Sequence, residues 1–112
     1  MLSIEGRYDL FKNTLAECGS NILLESDDII EYKLFEGFAV DAVSFLHENM
    51  LDALLSEGLI DDDIYEKCKK LRRLYLSMQS DSSLRNASHV KESSEWKKLM
   101  QLSDEIRQQL YW

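Results

Sequence analysis

Apolar residues recur three and four positions apart along this chain, and that spacing constrains its fold more than any other feature. The clearest run is Ile64, Cys68, Leu71, Tyr75 and Met78. Residues at this spacing lie on one face of an α-helix. The sequence also contains no proline, the residue that most strongly interrupts helices. The pattern therefore predicts an all-α fold, a compact bundle of about five helices.

The length of 112 residues predicts a single helical domain, 1–112, that can bury its own core. Ser26 and Asp61 stand where helices are expected to begin, and Gly19 and Gly58 are expected to end helices in the left-handed conformation. Gly37 is expected to end or bend the second helix. We predict helices at about 5–18, 27–37, 38–57, 62–78 and 90–109 or 93–109, with a polar, mobile loop at 79–88.

The charges are divided unevenly between the two parts of the chain. Residues 1–63 hold fifteen acidic and three basic residues, a net charge of −12, whereas residues 64–112 hold six acidic and ten basic residues, a net charge of +4. A domain polarised in this way attracts cationic surfaces and repels polyanions. The excess of acid also predicts that most carboxylates of the first part lack a partner nearby in the sequence.

Two groups of acidic residues are candidates for a partner-binding surface that a cationic protein would neutralise. The first surrounds the start of the second helix, where Tyr32 and Phe35 are candidate aromatic anchors, with Phe35 equally consistent with the core. The alternative for any single carboxylate is an ordinary solubilising role. The candidate residues are Asp27, Asp28, Glu31, Tyr32 and Glu36 in the first group, and Asp41, Glu48, Asp52, Asp61, Asp62 and Asp63 in the second.

The sequence contains no motif that predicts catalysis, a bound metal or a cofactor. His47 and Glu48 have neither zincin nor di-iron spacing, so a structural or surface histidine is the better interpretation. Cys18 and Cys68 fall on apolar stripes, where a thiol acts as a small hydrophobe. No phosphate-binding glycine loop is present. We therefore expect no enzymatic activity and no cofactor.

The apolar segments and the cysteines of the sequence predict the cellular compartment of the protein. No apolar signal segment follows the first residues and no stretch approaches the length of a membrane span. The two cysteines are not in a C-x-x-C pair. We expect a cytoplasmic protein with reduced, buried thiols and no contact with a membrane.

A cluster of basic residues in the fourth predicted helix suggests two interpretations. A nucleic-acid site is one, but the net charge of −8 opposes approach to a phosphate backbone. A solvated helix face, paired in part with the acidic half of the same domain, is favoured instead. The cluster consists of Lys67, Lys69, Lys70, Arg72 and Arg73.

The run EGLID at 57–61, followed by YEK at 65–67 and LR at 71–72, resembles small bacterial immunity proteins of contact-dependent inhibition and related polymorphic toxin systems. The resemblance covers roughly residues 50–78. It implies an immunity protein that binds a cationic toxin domain, often a nuclease, and occludes its active site with carboxylates that stand where phosphates would bind.

A different class of protein remains open beside that one. A helical adaptor or regulatory subunit would be held in a complex by apolar contacts, with Tyr111 and Trp112 offered to a partner or tucked into the core. Ionic strength separates the two hypotheses, because electrostatic docking slows as salt rises whereas apolar docking changes little. A small enzyme is a third hypothesis, but it would need a pocket of perturbed titratable groups.

Overall fold

The fold is an all-α bundle, as the spacing of the apolar residues predicts. The computed structural model describes residues 3–110, without the side chains of 43–45 and 82. The aromatic end proposed for an adaptor, Tyr111 and Trp112, therefore lies outside the described residues. Within them the chain forms seven α-helices: α1 (Ile4–Glu17), α2 (Asp27–Tyr32), α3 (Phe38–Phe45), α4 (Glu48–Ser56), α5 (Asp62–Gln79), α6 (Ala87–Glu92) and α7 (Ser94–Leu110).

Side chains cap several helix starts by accepting otherwise unpaired backbone N–H groups. Asp61 Oδ1 accepts the N–H of Ile64 at 2.8 Å and begins α5, as predicted. Asn86 Oδ1 accepts the N–H of His89 at 2.9 Å and begins α6. Ser26 stands at the predicted start of α2 in extended backbone, but its side chain makes no capping hydrogen bond.

The helix predicted at 38–57 is wrong in its extent, because the chain breaks at Leu46 and His47. His47 has extended backbone (φ −65°, ψ 147°), and its Nδ1 accepts the N–H of Asn49 at 3.1 Å. The imidazole therefore acts as the N-cap of α4, which gives His47 the structural role that was expected. The break leaves α3 and α4 as two helices that pack separately on the core.

The chain stays helical from Asp27 to Phe45, passing from α2 through a π-helical segment, Lys33–Gly37, into α3. Gly37 keeps helical dihedrals (φ −63°, ψ −60°), so of the two predicted outcomes, an end or a bend of the helix, the end is wrong. A Cβ at Gly37 would lie 2.5 Å from Glu17 Oε2. A side chain at position 37 would therefore displace the Glu17 carboxyl group, so the role of Gly37 is to allow this close approach rather than to form a turn.

The two predicted glycine stops differ in the structure. Gly58 has φ +75° and ends α4, with the N–H of Leu59 donating to Leu54 O and that of Gly58 to Leu55 O. This is the Schellman pattern of hydrogen bonds. Gly19 has φ −82°, so its predicted left-handed conformation is wrong. A 3₁₀ turn, Ser20–Leu24, follows Gly19 directly and takes the chain on without a left-handed residue.

The core lies between α5 and α7, with α1 packed against α7 and α3 packed against α1. Lys67 Nζ donates to Gln109 Oε1 at 2.7 Å, which places the start of α5 beside the end of α7 and makes the pair antiparallel. The predicted stripe of α5 is fully confirmed as buried. The buried apolar side chains of the two helices are Ile64, Cys68, Leu71, Tyr75, Met78, Trp96, Leu99, Met100 and Ile106.

The segment 79–88 is more ordered in secondary structure than the predicted loop. It contains a 3₁₀ turn, Ser82–Leu84, and the beginning of α6. Leu84 and Ala87 are buried, and the indole Nε1 of Trp96 donates to Leu84 O at 2.8 Å. These two apolar residues tie the segment to the core, although most of its residues are polar.

Candidate functional site

A groove beside α2 and the π-helical segment collects four of the predicted partner-binding residues. Its volume is about 470 Å³. Positions 28, 31, 32, 35 and 36 are three and four residues apart, so they share one face of the helix. The groove is lined by Asp28, Glu31, Tyr32, Phe35, Glu36 and Arg85.

Negative charge dominates this acidic groove, since three carboxylates face one guanidinium. Arg85 lies with its guanidinium carbon 5.9 Å from the centre of the Phe35 ring. Glu31 Oε2 accepts the backbone N–H of Ala87 at 3.1 Å, which fixes it at the start of α6. Asp28 and Glu36 form no hydrogen bond or ion pair with another described residue. These two carboxylates are therefore the charges available to a partner.

The two predicted aromatic anchors have different roles. The Tyr32 side chain is 64% exposed beside the carboxylates, which suits a contact residue. Phe35 is half-buried, and its ring meets Trp96 edge-on with the ring centres 5.8 Å apart. Phe35 thus forms the floor of the groove and also packs against the core, so the core role that the sequence left open for it is confirmed.

Asp27, the first residue of the predicted group, lies outside the lining of the groove. Its Oδ1 accepts a hydrogen bond from Lys91 Nζ at 2.5 Å, and both side chains are exposed. The ion pair joins α2 to α6 across the surface. Exposed pairs of this kind stabilise a fold by about 1 kcal/mol or less, so Asp27 serves mainly to orient α6.

Glu48 and Asp52, from the second predicted group, are turned toward α5. Glu48 Oε1 lies 3.7 Å from Lys69 Nζ, and Asp52 Oδ1 accepts the Tyr65 hydroxyl at 2.6 Å. The hydrogen bond to Asp52 is the main cause that raises the pKa of Tyr65 to about 12, with a smaller contribution from burial and from the neighbouring negative charges. Both carboxylates have partners within the chain.

The three aspartates at the start of α5 separate into different roles. Asp61 is the N-cap, and Asp62 is exposed. Asp63 accepts a hydrogen bond from Gln109 Nε2 at 2.7 Å and lies 3.3 Å from Lys67 Nζ. The Gln109 hydrogen bond, and then Lys67, hold the pKa of Asp63 below its usual value. Asp63 thus joins α5 to α7 at the surface of the protein.

Asp41 belongs to a third environment, beside Glu17 at the end of α1. The pKa of Glu17 is raised to about 8, mainly by burial and then by the hydrogen bond and negative charge of Asp41, whereas Lys33 opposes the change. Sequence reasoning missed Glu17. A signal was present, because Glu17 ends α1, where the helix dipole disfavours a negative charge.

The structure therefore brings four of the five residues of the first predicted group together and disperses the second group. Three lysines of the second part of the chain, Lys67, Lys69 and Lys91, pair with Asp63, Glu48 and Asp27, partners that a count of charges within residues 1–63 does not include. Pairing of Lys67 and Lys69 with acidic residues is what the interpretation of the basic cluster expected. Arg85 was not predicted, and its position in a polar segment offers no signal for it.

The described residues offer little material for metal or thiol chemistry. No three His, Cys, Asp or Glu side chains in this part of the chain come close enough to hold a metal ion. Cys18 and Cys68 are buried and free, and burial raises the pKa of each thiol to about 12. A thiol with so high a pKa is a poor nucleophile near neutral pH.

Comparison with known proteins returns no relative: no family model, no curated protein and no solved structure matches this chain. Among the described helices, none combines the length and the apolar character that crossing a membrane requires. The acidic groove is thus defined by its own geometry and chemistry alone.

Proposed function

We propose that this protein is an immunity protein that binds a cationic toxin domain through the acidic groove. The observation that carries the proposal is the meeting of Asp28, Glu36 and the exposed Tyr32 on one helix face. A toxin that acts on nucleic acid holds cationic side chains where phosphates bind. Carboxylates placed against those cations would occupy the same positions and exclude the substrate.

The groove supplies the two contributions that a tight inhibitor needs. Unpaired carboxylates speed the encounter with a cationic surface, an effect that weakens as salt screens the charges. An exposed tyrosine beside them provides a large apolar contact that slows dissociation. The single guanidinium of Arg85 lies over Phe35, on the wall of the groove, so a second cation from the partner can reach Asp28 and Glu36.

The first experiment is affinity capture from the native organism's lysate, with mass spectrometry of the bound proteins and washes at low and high salt. The proposal expects one basic toxin domain, whose association rate falls steeply between low and physiological salt. Recovery of a salt-resistant complex without a toxin would contradict it and favour the adaptor.

Charge reversal then tests the groove itself against a matched control. Asp28→Lys with Glu36→Lys is expected to weaken binding of the captured toxin by at least about a hundredfold, because a hydrogen-bonded charge pair is worth roughly 2 kcal/mol or more in a desolvated interface. Glu57→Lys with Glu66→Lys makes the same change of net charge at two exposed positions outside the groove. Equal losses in both variants would leave only a general charge effect and sink the assignment of the groove.

A further inference from the structure

A second groove, which shares no residue with the acidic one, runs between α5 and α7. Its volume is about 620 Å³. The floor is formed by Leu74 and Leu102, which are partly buried and pack against the hydrophobic core. Residues 70–77 of α5 and 98–105 of α7 form its walls, each about 10 Å long at 1.5 Å per residue.

Cations stand on both walls of this α5–α7 groove. Lys70 and Arg73 line the α5 side and Lys98 lines the α7 side, and all three are exposed. None of the three forms an ion pair with another described residue, whereas Lys67, Lys69 and Lys91 do. The one carboxylate of the lining, Glu105, lies 3.9 Å from Lys67 Nζ. An apolar floor between two cationic walls is therefore the character of the site.

We propose that the α5–α7 groove binds an acidic amphipathic helix of a partner protein. A third helix laid between two antiparallel helices would place an apolar stripe on Leu74 and Leu102. Acidic residues on both sides of that stripe would meet the cationic walls. The charge complementarity is local, because at physiological salt charges beyond about 8 Å are largely screened from one another, so the net charge of −8 does not prevent docking.

The shape and charge of the groove favour a helix over other occupants. Its apolar floor, formed by Leu74 and Leu102, offers no hydrogen-bonding group to the polar edges of bases. A fatty acid would need an enclosed cavity to bury its tail, but the groove is open along its length. The cations on the two walls match acidic residues on two sides of a helix. A fatty acid has a single carboxylate head group, which would leave the cations of one wall unpaired.

The test uses a fluorescein-labelled, acetylated and amidated 18-residue peptide with leucines at helical spacing and glutamates on both flanks. Binding to the full chain is followed by fluorescence anisotropy. Lys98→Glu is expected to weaken binding at least about fivefold, because it turns an attraction into a repulsion at the wall. Lys97→Glu is the matched control, since Lys97 is the preceding residue of α7, is exposed, and does not line the groove. It should change the affinity less than about twofold.

Two further changes test the apolar floor and the acidic flanks separately, the first in the protein and the second in the peptide. Leu102→Gln should weaken binding about tenfold by placing an amide on the apolar floor, and circular dichroism checks that the variant remains helical. A peptide with glutamine in place of every glutamate should bind at least about tenfold more weakly than the acidic one.

Four outcomes would overturn the proposal. Equal binding of the glutamine peptide would mean apolar adhesion, and equal effects of Lys97→Glu and Lys98→Glu would mean general attraction. Sedimentation velocity that shows self-association, abolished by Lys98→Glu, would assign the groove to a second copy. Saturable binding of laurate in place of the peptide would assign it to a fatty acid.

Discussion

Two long helical stretches of this molecule, α5 and the continuous helix from Asp27 to Phe45, differ in what determines their structure. In α5 the cap at Asp61 and the buried stripe from Ile64 to Met78 follow from spacing and local chemistry. The other stretch has no side-chain cap at its start, contains a π-helical segment, and carries the acidic groove. Contacts with distant parts of the chain, not local preference, shape it.

The candidate site therefore lies in the stretch whose structure is not explained by helix capping and residue spacing. π-Helical segments are found frequently at functional sites, because they change the direction in which side chains leave the helix. Here Phe35 and Glu36 lie inside that segment and line the groove. Two long-range contacts hold it: Trp96 against Phe35, and the Glu17 carboxyl group against Gly37. Breaking either contact tests whether the groove depends on tertiary packing.

The largest effect is expected at Trp96, the residue that joins the groove to the core. Trp96→Ala removes a side chain that is 2% exposed, the hydrogen bond to Leu84 O and the edge-on contact with Phe35. We expect a loss of about 3–5 kcal/mol in the free energy of unfolding, measured by urea denaturation. Trp96→Phe, which keeps an aromatic ring, should cost less than half as much. A loss below about 1.5 kcal/mol for the alanine variant would show that Trp96 contributes little to holding the groove on the core.

The sequence predicts well those helices whose position is determined by one apolar face and by the residues that cap them. The all-α class, the extent of α1 and the cap and stripe of α5 follow from periodicity and capping alone. The break at His47 was not predictable in the same way. The apolar spacing continues across it, and only the tertiary arrangement of α3 and α4 requires the chain to turn there.

The second prediction concerns Glu17, whose burial against Gly37 makes stability depend on pH. The pKa of Glu17 is raised in the folded protein from an ordinary 4.5 to about 8. Its neutral form is therefore favoured by folding, so this contribution to stability is complete below pH 4.5 and is lost as the pH rises toward 8. Glu17→Gln, which stays neutral, should equal the parent near pH 4.5 and exceed it by about 1–2 kcal/mol near pH 8, after allowance for solvent screening.

Chemical denaturation at several pH values measures the difference. Glu5→Gln, which removes an exposed carboxylate in the first turn of the same helix, is the matched control for the loss of one negative charge. A constant offset between Glu17→Gln and the parent across this range would contradict the prediction, since only a titrating carboxyl group gives an offset that grows with pH.

The candidate site was predictable only in part, for a physical reason. Residues three and four apart on one helix, such as Asp28, Glu31 and Tyr32, can be placed together from spacing. Whether Glu48 has a partner depends on Lys69 of the next helix, and the contact of Asp63 with Gln109 depends on how α7 packs beside α5. Ion pairs between α4 and α5, or between α5 and α7, are decided by packing, which the sequence alone does not specify.

The smallest effect is expected from substitutions at the N-terminal ends of the two stretches, the start of α5 and the start of α2. Asp61→Ala removes the oxygen that accepts the N–H of Ile64 at 2.8 Å, and a lost N-cap costs about 1 kcal/mol. Ser26→Ala should cost no more than a few tenths of a kcal/mol, because the Ser26 side chain makes no capping hydrogen bond at the start of α2. Thermal or urea unfolding resolves the two values, and Asp61→Asn, which keeps a capping oxygen, should recover most of the loss. Equal costs at Asp61 and Ser26 would mean that both starts are fixed by local capping, and the contrast between the two stretches would then begin only at the π-helical segment.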